Sequence, residues 1–140
     1  MKAIAPILTH ALFLAFGTFV LIFVCLSVFN LRASSEQETA KATLKIITGQ
    51  VSDKILDLYI VGSSSSSTGL VASAELNLPA RVADKDYILK LENKNIIAEI
   101  PTLDLVVNST INIEINMEGS GKKALEYWKN GEDKIILVSK

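Results

Sequence analysis

The chain has 140 residues, enough for about one domain, and it is 49% hydrophobic with a mean hydropathy of +0.37. Its formal net charge of −1 provides no basic surface, so we expect no nucleic-acid partner. The single cysteine, Cys25, and the single histidine, His10, lie in or beside the apolar N-terminal segment. This excludes disulfides, zinc clusters and catalytic pairs of histidine or cysteine from the polar part of the chain.

The N-terminal segment is predicted to be a transmembrane helix. The nineteen residues from Ala11 to Phe29 carry no charge, and thirteen of them are Leu, Ile, Phe or Val. At 1.5 Å per residue they reach about 28 Å, and residues 3–8 supply the length to cross a hydrocarbon core of about 30 Å. The sequence therefore predicts a membrane anchor over residues 1–30, with the lipid bilayer as its partner.

A cleaved secretory signal is the alternative interpretation, because the apolar segment is N-terminal and follows a single base, Lys2. A signal usually has an apolar core of about 7 to 15 residues, followed by small residues at the cleavage site. Here the core is longer and continues into Phe29-Asn30-Leu31-Arg32 without a small pair. We therefore favour a retained anchor, and we keep a secreted β-domain with an unknown ligand as the alternative.

The sequence gives two opposing indications of topology. Lys2 on one side stands against Arg32, Lys41 and Lys45 on the other, and this count alone places the larger part of the chain in the cytoplasm. The sequon that begins at Asn108 and a β-rich domain without thiols point to the exterior instead. We predict an extracellular domain, with Asn108 as the candidate glycosylation site.

Residues 31–61 are predicted to form an amphipathic juxtamembrane helix. Its apolar residues recur at spacings of three and four, which is the period of one helix face. This apolar stripe, which we expect to pack against a sheet, consists of Ala40, Leu44, Ile47, Val51, Ile55 and Leu58. No proline lies between Pro6 and Pro79, so the anchor and this helix form either one rod or two helices bent at Ala33–Glu36. A flexible Ser/Gly linker over residues 62–69 is predicted to end the helix.

Beyond the linker the apolar period changes from about 3.6 to 2, which indicates strands over residues 70–140. The clearest alternation runs from Ile111 to Met117. Turns are predicted at Glu92–Asn95 and at Asn130-Gly131, each between two strands of a hairpin. The fold class is therefore α+β: a long N-terminal transmembrane and amphipathic helix, followed by a small antiparallel β-sandwich-like domain.

No group of residues in the polar part of the chain is typical of an active site. The carboxylates that could take part in catalysis are also what turns contain, and they are Asp84, Asp86, Glu132 and Asp133. We therefore predict no catalytic residue, no metal, no cofactor and no small-molecule substrate. Tyr127 and Trp128 are the candidates for contact with a partner, since one of two adjacent strand residues should face the core and the other should face outward.

Several segments resemble archaeal pilin-like membrane proteins, which occur with type IV pilus and archaellum machinery. The start Lys2–Pro6, the apolar helix and its continuation over Ala40–Tyr59 share this resemblance, and so does LNLPARVADKDYILKLENKNIIAEI over Leu76–Ile100. The residues there that match the pattern are Leu78-Pro79, Val82 and Asp86-Tyr87-Ile88. The resemblance implies a cell-envelope protein with a β-sandwich on the exterior of the cell.

One feature of polymerising pilins and archaellins is missing from this resemblance. Those subunits carry a basic-glycine site before the apolar helix, which a dedicated peptidase cuts, and Met1 to Ala11 provide no such site. We therefore predict a non-enzymatic, single-pass structural protein with an accessory, minor pilin-like or stator-like role. Its partners would be other pilin-like or envelope proteins, or further copies of itself, bound through protein–protein interaction.

Overall fold

The computed structural model describes residues 4–139, with side chains from Ile7 onward. Lys2 and the rest of residues 1–3, which the predicted anchor includes, lie outside the described residues, as does Lys140. The described elements are α1 (Ile4–Ser64), β1 (Gly69–Glu75), β2 (Ile88–Asn93), β3 (Asn95–Ile100), a 3₁₀ turn (Pro101–Leu103), β4 (Leu105–Thr110), β5 (Asn116–Ser120), β6 (Ala124–Asn130) and β7 (Glu132–Val138).

The helix α1 is continuous across Ala33–Glu36, so the structure has one helix where the sequence left one or two open. It also extends two residues beyond the start of the predicted linker, and only Ser65–Thr68 connect it to β1. The serines of its last turn fit a helix because their hydroxyls bond to its own carbonyls. Ser63 Oγ and Ser64 Oγ donate to the carbonyl of Ile60 over 3.2 and 3.0 Å.

The chain divides into two compact units, one ending at Glu36 and one beginning at Gln37. The second unit contains the C-terminal part of α1 together with all seven strands, and we call it the head domain. The sequence divided this part of the chain into an amphipathic helix over residues 31–61, a linker and a β-rich domain over residues 70–140, and it predicted that the helix packs against the sheet. In the structure the described residues from Gln37 onward form one compact unit.

All seven strands form one sheet in the order β1-β6-β7-β5-β2-β3-β4. The α+β class is therefore confirmed. The sheet is mixed, however, whereas the sequence predicted antiparallel pairing alone: β5 and β7 run parallel, and the other neighbours are antiparallel. The parallel pair arises because the chain leaves β5 for the more distant position of β6 and then returns as β7, beside β5.

Gly119 allows the parallel strands β5 and β7 to approach each other closely. Its φ is +111°, and a Cβ atom there would lie 2.5 Å from the carbonyl oxygen of Leu137. Any other residue would be strained at this φ and would also push β7 away. Gly119 is a paired member of β5, opposite Leu137.

One hydrophobic core fills the space between α1 and the inner face of the sheet. Inward-facing strand residues, such as Leu89, Ile96, Leu125 and Ile135, are buried in the same cluster as the helical stripe. All strands belong to one hydrogen-bonded sheet, and the helix supplies the second layer of the core.

The clearest alternation in the sequence lies mostly outside the sheet. Ile111–Ile115 connect β4 to β5, which begins only at Asn116, so the predicted strand over these residues is wrong. Ile111, Ile113 and Ile115 are nevertheless buried, with 4%, 9% and 5% exposure. Apolar residues at every second position indicate that alternate side chains are buried. They do not require that the segment pairs with a neighbouring strand.

Both predicted hairpins are present. In the first, Glu92 pairs with Asn95 across a two-residue turn, and Asn93 has the positive φ of 56° that such turns favour. In the second, Asn130 pairs with Glu132 on either side of Gly131. Short loops of this kind fix the register of their strands, and the second one decides which side chains of β6 and β7 meet.

Candidate functional site

The helix–sheet contact is built from the six residues of the apolar stripe. Each of them is buried, with exposure between 0% and 5%. On the other sides of the same stretch of helix, side chains such as Lys41, Lys45 and Lys54 are exposed. This division into a buried stripe and a polar surface is what positions the sheet along α1.

The anchor segment, which we define as Ile7–Leu31, differs sharply from the helix in the head domain. All its large apolar side chains are exposed, with fractions between 42% and 74%. This stretch of α1 is long and apolar enough to cross a membrane, with a mean hydropathy of 2.7 over its most apolar window. Two of its hydroxyls are bonded within the helix, since Thr18 Oγ1 and Ser27 Oγ donate to the carbonyls of Leu14 and Phe23. These bonds lower the cost of placing a hydroxyl in lipid.

Tyr127 connects the end of the helix to the hairpin of β6 and β7. Its side chain is fully buried, and its ring occupies the space where Gly62 would carry a Cβ atom, 2.5 Å away. Its hydroxyl donates to Asp133 Oδ2 over 2.8 Å. Burial, together with this hydrogen bond and the nearby negative charge, raises the pKa of Tyr127 to about 12. The hydroxyl is therefore held in its neutral, donating form.

Tyr127 was also predicted as a candidate for partner contact, and the structure corrects this. The residue has no exposed surface, so it cannot meet a partner while the head domain is folded. Trp128 is half-buried and lies on the opposite side of β6, where its Nε1 donates to Glu126 Oε2 over 3.0 Å. Of the adjacent pair, Trp128 alone remains a candidate contact.

A second tyrosine secures the long connection between β1 and β2. The hydroxyl of Tyr87 donates to the carbonyl of Pro79 over 2.8 Å. The Lys122 ammonium lies 3.9 Å from the centre of the Tyr87 ring and donates to the carbonyl of Ala80 over 3.3 Å. Burial raises the pKa of Tyr87. These contacts hold the segment that carries the Leu78-Pro79 and Asp86-Tyr87-Ile88 matches against the core.

The four candidate carboxylates take part in separate structural contacts. Asp84 lies in a turn with a φ of 58°. Asp86 forms an exposed ion pair with Arg81 over 3.2 Å, whereas Asp133 accepts the hydrogen bond from Tyr127 and Glu132 begins β7. Among residues 4–139 no group of three or more His, Cys, Asp or Glu side chains could hold a metal ion. We assign no chemical step to these carboxylates.

A cleft of about 430 Å³ in the head domain lies between α1 and the end of β1 with the residues that follow it. Its lining consists of Gln50, Asp53, Lys54, Asp57, Glu75, Leu76, Asn77 and Leu78. These side chains mix both charges with amides and leucines, and none of them is histidine or cysteine. The lining lacks the buried polar groups that usually orient a small ligand.

Asn108 lies on β4, at one edge of the sheet, and its side chain is exposed. The hydroxyl of Thr110, the third residue of the sequon, is also exposed and donates to Asn95 Oδ1 over 2.9 Å. The position is therefore accessible to a modifying enzyme in the folded head domain.

The contacts that sequence reasoning missed are those of Gly62 and Tyr127. Gly62 was assigned to the linker because it precedes a run of serines, although a glycine inside a helix can also mark a close approach by another group. The Tyr127–Asp133 bond could have been inferred from the Asn130-Gly131 hairpin, since its register places both residues on one face of adjacent strands.

No protein-family model matches the chain, and neither do any curated proteins or solved structures.

Proposed function

We propose that the chain is a non-enzymatic, single-pass envelope protein of the pilin-like class, which presents its head domain outside the cell for assembly with filament or envelope partners. The observation that carries this proposal is the change of character along one continuous helix. Its first part exposes apolar side chains on every side, whereas its second part buries a single stripe under the sheet. Helices that are apolar all round belong in lipid or in a protein core.

The exposed apolar surface of the anchor segment far exceeds what soluble proteins tolerate. Soluble monomers rarely leave contiguous apolar patches of more than a few hundred Å² in water. Burial in a bilayer is the simplest removal of this surface from water, and the charge-free length of the segment fits it. The ion pair of Arg32 with Glu36, over 3.5 Å, marks the return to a polar surface.

Two observations support an exterior head domain. Asn108 and Thr110 of the sequon are exposed, and the only cysteine lies in the anchor segment. The pilin-like identity rests on the sequence resemblance alone. Where that resemblance implies a small antiparallel β-sandwich, the structure has one mixed sheet with the helix on its inner face.

The secreted alternative is favoured by one specific observation. The first fully buried residue of α1 among the described side chains is Ala40, so cleavage near residue 30 would remove no residue of the head-domain core. A released head domain would keep its complete apolar stripe. Retention of the anchor must therefore be tested on the protein itself.

The mass of the protein recovered from cells distinguishes these functions. Cells expressing the full chain are separated into membranes and soluble fractions, and the protein is purified from each and weighed intact. We expect the full-length chain in the membrane fraction, resistant to extraction by salt or alkaline carbonate. A soluble product that lacks about thirty residues would contradict the proposal and support secretion.

A further inference from the structure

The strand β4 forms a free edge of the sheet. It pairs with β3 on one side, and among the described residues no strand pairs with its other side. An edge strand presents unpaired backbone N–H and C=O groups, which makes it a template for a strand from another chain. Native proteins usually block such an edge with a charged residue, a proline or a bulge.

Strand β4 has none of these protections. Its sequence, LVVNST, contains neither a charge nor a proline, and its pairing with β3 shows no register shift. The opposite edge, β1, does have such features. A bulge interrupts its pairing between Leu70 and Ala72, it ends in Glu75, and it lines a cleft together with α1. The two edges therefore differ, and β4 is the open one.

The residue pair just beyond β4 shows which backbone groups of the strand bond to β3 and which point away from the sheet. Ile111 N donates to the carbonyl of Lys94 over 2.8 Å, which makes that pair a hydrogen-bonded one. Hydrogen-bonded and non-hydrogen-bonded pairs alternate along an antiparallel ladder, so Leu105, Val107 and Ser109 bond to β3. The backbone groups of Val106, Asn108 and Thr110 then point away from the sheet.

We propose that β4 pairs antiparallel with β4 of a second copy, about a two-fold axis at Val107. In this register Val106 lies opposite Asn108 of the second copy, and their outward backbone groups meet. Val107 lies opposite its own equivalent as a non-hydrogen-bonded pair, and Leu105 lies opposite Ser109. Registers offset by an odd number of residues are excluded because they would place buried side chains opposite exposed ones. Registers with the two-fold axis at Val106 or Asn108 keep the same faces together, and they would give preferential disulfide trapping at position 106 or 108 instead of 107.

The strand complements itself in three respects. The backbone N–H and C=O groups of Val106 and Asn108 both point away from the sheet, so they can bond to each other across the two copies. Side chains on the inner face lie opposite side chains on the inner face. No like charges stand opposite each other, because β4 is uncharged. Pairing would also cover part of Val106, which is 55% exposed. The contact is isologous and closes on itself, so it yields a dimer.

The pairing surface is small, because a stable interface in solution usually buries about 1,200 Å² or more. We therefore expect association to be strong only where the copies are concentrated. Confinement to a membrane concentrates the copies by raising their effective concentration. Only this part of the inference, the membrane confinement, rests on the proposed function. The inference gives the proposed assembly a definite surface.

Disulfide trapping tests the register. Single cysteines are placed at positions 106, 107 and 108 of the full chain, with Cys25→Ala, in a host that does not glycosylate, and membranes are mildly oxidised. Only Val107→Cys brings two sulfur atoms within disulfide reach, so we expect its covalent dimer to exceed those of Val106→Cys and Asn108→Cys by about tenfold or more. Random collision would give the reverse order, because Val107 is 7% exposed and its two neighbours are exposed.

A pair of charge variants provides the second measurement and leaves the inner face unchanged. In the Val107→Cys background, Val106→Lys with Asn108→Lys places like charges opposite each other twice and should abolish the dimer. Val106→Lys with Asn108→Glu places opposite charges there and should preserve it. The proposed pairing would be overturned if no disulfide-linked dimer forms, or if its yield follows the exposure of the three positions. It would also be overturned if both charge variants change the yield equally. If the proposed function failed because the anchor is cleaved, the monomer and the covalent dimer would both contain a shorter chain. Failure of the proposed function is therefore distinguishable from failure of the pairing.

Discussion

At the scale of single residues, Tyr127 and Gly62 determine how closely the sheet approaches the helix. Gly62 is buried against the Tyr127 ring, whereas Gly49 of the same helix is exposed, and a Cβ atom added there would meet no atom within 4 Å. The same residue type therefore has opposite roles at these two positions. One permits a contact, and the other only weakens the helix.

Replacing each glycine with alanine separates these roles. We expect Gly49→Ala to stabilise the head domain by up to about 1 kcal/mol through helix propensity. Gly62→Ala should destabilise it by about 1 to 3 kcal/mol, because the new methyl group overlaps a buried ring. Urea unfolding of the two variants in detergent measures both effects. Equal stabilisation by the two substitutions would contradict the contact at Gly62.

The hydroxyl of Tyr127 gives the stability a specific pH dependence. Its pKa is raised from 10.0 to about 12, so the folded state favours the neutral phenol. This contribution to stability is fully present below pH 10 and is lost as the pH rises through about 12. We expect the wild type to lose more stability over this range than Tyr127→Phe, which has no ionisable group there. Parallel losses, measured by urea unfolding at several pH values, would show that Tyr127 does not titrate in this way.

At the scale of elements, the sequence predicted the helix and both hairpins because these depend on local patterns. The stripe from Ala40 to Leu58 follows the helix period, and the Asn130-Gly131 turn favours a hairpin by its backbone preferences. The sequence did not predict the parallel β5–β7 pair, which depends on strands separated by β6. Nor did it distinguish a buried connection from a strand over Ile111–Ile115, since both alternate in burial.

The same distinction applies to the candidate site. The apolar stripe was identified from its spacing, and the structure buries all six residues. The Tyr127–Gly62 contact was not identified, because it joins β6 to the end of α1, with five other strands between them in the chain. No local pattern encodes a relation over that distance in sequence.

The packing of the helix on the sheet is tested by one buried and one exposed substitution. Val51 has 0% exposure, and Ile46 on the same helix is 61% exposed. We expect Val51→Asp to cost about 3 kcal/mol or more, because it buries an unpaired charge in the core. Ile46→Asp should change stability by no more than about 1 kcal/mol, since its carboxylate stays in water. Similar unfolding midpoints for the two variants would contradict the helix–sheet packing.

At the scale of the whole molecule, one helix contributes to both compact units. Its N-terminal part exposes apolar side chains over a length sufficient to cross a membrane, and its C-terminal part supplies one layer of the head-domain core. The proposed role uses both parts, the first as an anchor and the second as the support of a sheet with an open edge at β4.

Glycosylation reports on the environment of the head domain. In a glycosylating host we expect the mass of the protein to increase by one glycan at Asn108, because the sequon is exposed on the edge strand. Asn108→Gln and Thr110→Ala should each abolish the increase. An unmodified Asn108 in a host that glycosylates a control sequon added near the C-terminus would contradict its accessibility.

Labelling of a single cysteine on intact cells tests the central claim most directly. Lys123 is exposed in the head domain, so Lys123→Cys with Cys25→Ala provides one accessible thiol there. A membrane-impermeant maleimide is added before or after the cells are permeabilised, and the labelled protein is recovered from membranes and weighed. We predict full labelling of the full-length chain on intact cells. Labelling only after permeabilisation would place the head domain inside the cell and contradict the account.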